Sequence, residues 1–302
     1  MLEQLPVNFT ETISAAYGEA GRKWLARLPS VIVEIARDWQ LIVDKHYPGL
    51  SYHFVAPVTC GDGTSAVLKV GFPEENQEML NEVNALKHIG GHGMIKLLRF
   101  DCRRRAMLLE KLEPGDNLKT AFEGNEIGAV DIAIDIMQKL WREPPPPEGN
   151  TFPRLETWFN NCFEKAADTE FPREYIGKAA GFFEELNLTG RRVLLHGDLH
   201  HENILSAQRE PFLAIDPKGI TGNFGYEMST FLINHRWWMK SDPDVKEKLD
   251  AAINRFAGAF KMPPEAIRKW TFAQSVLSAW WTFEENSDNW RRELELAEIW
   301  DI

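Results

Sequence analysis

Residues 196–205 read HGDLHHENIL, with a carboxylate at Asp198 and a carboxamide at Asn203 five positions apart, just after the apolar run Val193-Leu194-Leu195. Phosphoryl transfer to a hydroxyl needs a carboxylate that orients or deprotonates the acceptor and, close by, an oxygen ligand for Mg²⁺. Asp198 and Asn203 suit these two roles. A second metal carboxylate is needed to bridge Mg²⁺ to phosphate oxygens, and Asp216 closes the apolar run Phe212 to Ile215. The phosphates also need a fixed cation, and Lys69 lies inside the apolar stretch AVLKV at 66–70. An unpaired ammonium buried there is costly. Its partner must come from the next helix, where Glu82 borders the apolar stripe beside Val83 and Glu78 sits one turn earlier as the alternative.

Each residue also has a plainer reading. Lys69 alone suits an edge strand, Glu82 alone a solvated helix face, and Asp216-Pro217 alone a turn. His196, His200 and His201 offer an alternative metal set, but no second ligand cluster accompanies them. The order decides in favour of phosphoryl transfer: strand lysine, helix glutamate, hairpin, helices, carboxylate and carboxamide loop, then strand-borne aspartate.

The elements that must position these groups are visible as periodicities. Phe9 to Arg37 has helical apolar spacing, followed by three strand-like runs over 41–71, broken at Tyr47-Pro48-Gly49 and Gly61-Asp62-Gly63. A helix is predicted over 73–88, stopped by GGHG at 90–93, and then a hairpin of 94–100 with 105–112. Helices dominate beyond Pro114, the first over 126–141 and ended by Pro144 to Pro147. Residues 191–205 and 212–219 read as one short β-pair carrying loops. The expectation is an α+β chain with a sheet lobe at 1–112 and a helical lobe at 113–302.

Composition narrows the partners. A net charge of −11 lacks the basic field that nucleic acid or an anionic membrane demands. Cys60, Cys102 and Cys162 lack paired spacing, so a reducing compartment is expected. With no long apolar run and no basic, apolar leader, a cytoplasmic protein is expected.

HGDLHHENIL followed by AIDPKG, supported by GDGTSAVLKVG, GGHGMIKLL, LLEKLEPGDNL and SVLSAWW, resembles the aminoglycoside phosphotransferase family, in its streptomycin 6-kinase and hydroxyurea phosphotransferase branch. The resemblance spans roughly residues 38–300. It implies a protein-kinase-like fold of two lobes that clamp ATP with Mg²⁺, the link from Glu110 to Leu112 reading the base. It further implies that Lys69 holds phosphates, Glu82 holds Lys69, Asp198 orients the acceptor hydroxyl, Asn203 and Asp216 bind Mg²⁺, and His196 supports the loop. The sequence departs from the protein-kinase pattern: the loop at 47–52 has the single glycine Gly49, and Asp216 is followed by Pro-Lys-Gly. It departs from the branch at 222–227, which reads GNFGYE in place of GDPAYE.

The expected acceptor is a small molecule with a hydroxyl and a cationic character. Glu227, Glu284 and Asp288 are candidates to charge its pocket, although each also suits a helix end or a solvated face. Trp237, Trp238, Trp270, Trp280, Trp281, Trp290 and Trp300 crowd the same region, most of them expected in the core. A streptomycin-like aminocyclitol is the first acceptor reading. A metabolic alcohol is the second, and a non-catalytic nucleotide-binding module the third.

Overall fold

The computed structural model describes residues 5–73, 77–141, 152–166, 169–239, 242–285 and 287–300. Two compact units emerge, one of residues 1–91 with 95–113, the other of residues 92–94 with 114–302.

The first unit opens with α1 (Val7–Trp39), whose helical path breaks at Gly18, where φ is 56° and ψ −131°. The break lets the chain turn so tightly that a Cβ on Gly21 would lie 2.5 Å from the carbonyl oxygen of Ile13. Three strands follow, β1 (Leu41–Val43), β2 (His53–Cys60) and β3 (Ser65–Gly71), then α2 (Glu78–Ile89), and the hairpin β4 (Leu97–Asp101) and β5 (Ala106–Glu110). All the pairings are antiparallel and the order is β1-β2-β3-β5-β4, which brings the second hairpin beside β3. Gly90, with φ at 63°, ends α2 as the glycine-rich stop predicts.

Alternation along the strands decides what each face carries. Phe54, Ala56 and Val58 of β2, with Ala66, Leu68 and Val70 of β3, join Phe9, Ile13, Leu28, Ile32 and Ile35 of α1 in one buried core. Because successive strand residues point to opposite faces, Lys69 is turned away from this core.

In the second unit, residues 114–117 are pinned before the helices begin: Gly115 N–H donates to Ser206 O, and Asp116 N–H to Ser206 Oγ. The elements are α3 (Leu118–Ala121), α4 (Glu126–Leu140), α5 (Leu155–Ala166), α6 (Arg173–Asn187), β6 (Arg192–Leu195), β7 (Ile204–Ser206), β8 (Phe212–Ala214) and β9 (Ile220–Asn223). Then come α7 (Gly225–Met239), α8 (Val245–Phe260), α9 (Pro264–Glu284) and α10 (Trp290–Ala297). Pro144 to Pro147, expected to end α4, lie outside the described residues.

The single β-pair expected over 191–219 is instead two pairs, β6 with β9 and β7 with β8. The reason is local: Gly197 at φ 84° and Asp216 at φ 58° turn the chain out of one pair and into the other. The hydrophobic centre of this unit is aromatic, with Phe159 stacked on Phe183 at 4.3 Å and Trp270 edge-on to both. Among the described residues, no helix is long and apolar enough to cross a membrane.

Candidate active site

The loop leaving β6 is held from below by its own histidine. The Nε2 of His196 lies 2.7 Å from Ile215 O, and its Nδ1 accepts from the N–H of Asp198 at 3.2 Å. This pair of contacts requires a neutral ring with the proton on Nε2. Burial agrees, pushing the imidazole down to about 3. The carbonyl of the same residue takes the N–H of Lys218 at 2.7 Å and that of Gly219 at 3.3 Å. Both nitrogens of His196 are thus committed to the loop, and His201 is buried against Phe231 with ring centroids 3.9 Å apart. The histidine metal set therefore does not form: among the described residues, no three His, Cys, Asp or Glu side chains group to hold a metal.

Asp198 stands at the crest of this loop with 39% of its side chain exposed. Burial of its surroundings is the largest influence and raises its pKa, as does Asp216, while His200 and Lys218 oppose the rise. His200 approaches the carboxylate to 3.8 Å. A carboxylate of raised basicity, partly open to solvent, suits proton acceptance from a hydroxyl. Asn203 sits at the end of a 3-10 turn, and its Nδ2 donates to Asp198 O at 2.9 Å. That bond orients the carboxamide and leaves Oδ1 to act as a hard oxygen ligand. Ile215 N–H donates to Asn203 O at 2.9 Å, so the residue before Asp216 is tied to Asn203 itself. Asp198 and Asn203 are thus joined directly, and Asp216 is next in the chain to a residue bonded to Asn203.

Glu227, a candidate for the acceptor pocket, is fully buried in the first turn of α7 and faces the loop instead. Its carboxylate accepts from His196 N–H at 2.6 Å and Gly197 N–H at 3.0 Å. We therefore read it as a positioning group. Burial pushes its carboxyl up to about 7, against the opposing pull of the loop amides. Raised from its ordinary 4.5, this group binds its proton more tightly in the native state. Its contribution to stability is full below about 4.5 and is lost as pH rises through about 7. Glu227→Gln turns an amide NH₂ toward N–H donors and is expected to cost about 1–3 kcal/mol. It should also flatten that part of the pH dependence. Thermal unfolding of both proteins at about pH 5 and about pH 8 checks this, and identical pH profiles would contradict it.

The departure at Asn223 also has a structural cause. This side chain is buried, with Nδ2 donating to the carbonyls of Leu186 and Thr189 and Oδ1 accepting from Gly225 N–H at 2.9 Å. It fastens the turn into α7 to the end of α6, so the altered residue lies in the scaffold. Glu284 pairs with Lys165 at 2.9 Å, and Asp288 with Arg291 at 3.3 Å. Both carboxylates thus take part in ion pairs at the surface. Trp270, Trp280, Trp290 and Trp300 are core residues, Trp281 is exposed, and the side chains of Trp237 and Trp238 lie outside the described part.

In the first unit the lysine and glutamate meet. Lys69 Nζ donates to both oxygens of Glu82, at 2.9 and 2.8 Å, with the residues only 5% and 6% exposed. Glu82 rather than the exposed Glu78 takes this position, because the stripe of Met79, Val83 and Leu86 turns it inward. Glu110 ends β5, its backbone N–H bonded to Lys96 O and its carboxylate accepting from Lys96 N–H. Leu112 follows, half-buried. Gly49 adopts φ 74° in the turn before β2, with nothing near the place a Cβ would take.

The family described as aminoglycoside/hydroxyurea antibiotic resistance kinase matches residues 39–286. The chain is 29% identical to streptomycin 6-kinase of Streptomyces griseus, over 93% of this chain and 91% of that one. It is 30% identical to hydroxyurea phosphotransferase of Kitasatospora aureofaciens, over 98% and 85%. Choline kinase from Streptococcus pneumoniae shares the fold, with a TM-score of 0.61 at 13% identity over 90% of this chain and 97% of that one.

Proposed function

Since the chain belongs to the family of aminoglycoside and hydroxyurea antibiotic resistance kinases, we propose that it transfers the terminal phosphoryl group of ATP to a hydroxyl of a cationic, streptomycin-like acceptor. One observation carries the reading: a partly exposed Asp198 carboxylate on a loop where its own carbonyl orients the carboxamide of Asn203. The acceptor hydroxyl hydrogen-bonds to Asp198. As its oxygen attacks the terminal phosphorus, the proton passes to this carboxylate and the bond to the leaving nucleoside diphosphate breaks. Little covalent chemistry falls to the protein, so positioning and charge neutralisation dominate.

Lys69 supplies the charge opposite the phosphates, and Glu82 fixes its rotamer. The turn at Gly49 and the main chain from Glu110 to Leu112 serve the nucleotide. His196 and Glu227 act through the loop they hold. The donor set fits Mg²⁺: hard oxygens from Asn203 Oδ1 and the Asp216 carboxylate. When bound there, the ion supplies charge neutralisation at the phosphate oxygens.

The test is incubation of the purified protein with MgATP and streptomycin, reading phosphoryl gain on the drug by mass spectrometry. The expected result is transfer dependent on Asp198. Transfer to another alcohol but none to saturating streptomycin would change the acceptor and keep the chemistry. Nucleotide binding with no transfer to any hydroxyl would sink the kinase reading in favour of a non-catalytic module.

A further inference from the structure

Among the C-terminal tryptophans with described side chains, Trp270, Trp280, Trp290 and Trp300 are buried, whereas Trp281 is 38% exposed. Trp281 is not without order. It stands edge-on to Trp158 of α5, with ring centroids 5.4 Å apart and planes at 83°. Trp158, half-buried, is in turn edge-on to Tyr226 at 6.2 Å. Tyr226 immediately precedes Glu227, the residue whose carboxylate holds the amides of His196 and Gly197.

The start of α5 is fixed to the same scaffold. Arg154 bridges Thr221, and a Cβ on Gly222 would meet Leu155 at 2.7 Å. Trp158 therefore rises one turn above the strand pair that delivers the catalytic loop. Tyr226 is itself buried, next in the chain to the residue whose carboxylate holds the amides leading into Asp198. About 10 Å further along α5, Lys165 and Glu284 tie the two helices together.

An edge-to-face indole pair leaves a ring face available, and that face carries the negative end of the ring quadrupole. Guanidinium and ammonium groups are drawn to it, most strongly by tryptophan. We propose that Trp158 and Trp281 form the acceptor-selecting wall of the site, receiving a guanidinium or ammonium group of the acceptor while its hydroxyl engages Asp198. The inference rests on the kinase reading above and adds the chemical group that the acceptor must carry.

The test titrates streptomycin, and separately the neutral polyol myo-inositol, into the nucleotide-free protein and follows binding by calorimetry. Wild type is compared with Trp281→Leu, Trp281→Phe and Trp158→Leu, each checked for an unchanged circular dichroism spectrum. Streptomycin is expected to bind about tenfold more weakly to the Leu variants and within about threefold of wild type to the Phe variant. In steady state, the Leu variants should raise the acceptor KM and leave the ATP KM unchanged, and myo-inositol should bind none of the proteins measurably. Equal streptomycin affinity in wild type and Trp281→Leu overturns the wall, as does the absence of streptomycin binding to wild type. Should Trp158→Leu fail to fold, Trp281→Leu decides alone, since its side chain is exposed. Tryptophan-dependent binding without phosphoryl transfer would overturn the proposed reaction and retain the wall.

Discussion

Asp198→Asn is expected to lower kcat by about 10²–10⁴-fold while the dissociation constant for ATP stays within about threefold of wild type. Asparagine has the same shape, and the backbone of residue 198 keeps its bonds to the Asn203 carboxamide and the His196 ring. What disappears is the proton acceptor. In the wild type that acceptor works only when ionised, and burial raises the pH at which it ionises. Activity should therefore fall as pH drops through the raised value, and the variant should lose this acidic limb altogether. Single-turnover rates with saturating nucleotide across the acid range provide the measurement. A loss below about tenfold, with the acidic limb intact, would remove Asp198 from the chemistry.

Lys69→Met is expected to cost about 3–5 kcal/mol of stability as well as activity, because it strands the carboxylate of Glu82 in a site that is almost fully buried. In that variant Glu82 can avoid the charge only by binding a proton, so its pKa must rise above the unfolded value. The variant is therefore least impaired at acid pH and loses stability as pH rises through that raised value. Removing both partners in Lys69→Met/Glu82→Leu should restore most of the stability, since apolar groups replace an ion pair whose desolvation is costly. It should restore none of the turnover, because the phosphates still lack their cation. Urea unfolding midpoints at two pH values, together with the turnover rate and the ATP dissociation constant of each protein, separate these effects. Stability left low in the double variant would indicate that the pair contributes more to the fold than its burial suggests.

These side chains differ in how plainly the sequence displays them. Asp198 and Asn203 lie on one short loop with the spacing that phosphoryl transfer needs, so they stand out as candidates without a fold. The three-stranded meander and the helix ended by Gly90 are legible for a related reason: alternation, helical spacing and glycine turns are local properties of the chain. Glu82 needed only one more step, since the apolar stripe of its own helix turns it toward the sheet.

Glu227 and Asn223 are different. In sequence, Glu227 suits a helix end or the acceptor pocket equally, and Asn223 shows only as a departure from the branch pattern. Their partners, the amides at 196 and 197 and the carbonyls at 186 and 189, lie 30 or more residues away. The pairing of β6 with β9 was hidden likewise, because these non-consecutive strands meet only after Gly197 and Asp216 turn the chain.

The sequence by itself thus determined the family and the strand and helix repertoire and pointed to the candidate reacting groups, all of which depend on residue type and near-neighbour spacing. Only the tertiary structure decided that Glu227 holds the loop, that Asn223 belongs to the scaffold, and that Trp281 alone of the described C-terminal tryptophans is exposed. Burial and hydrogen-bond partnership are properties of surroundings assembled from distant segments, and the same side chain changes role with the neighbours that folding brings to it.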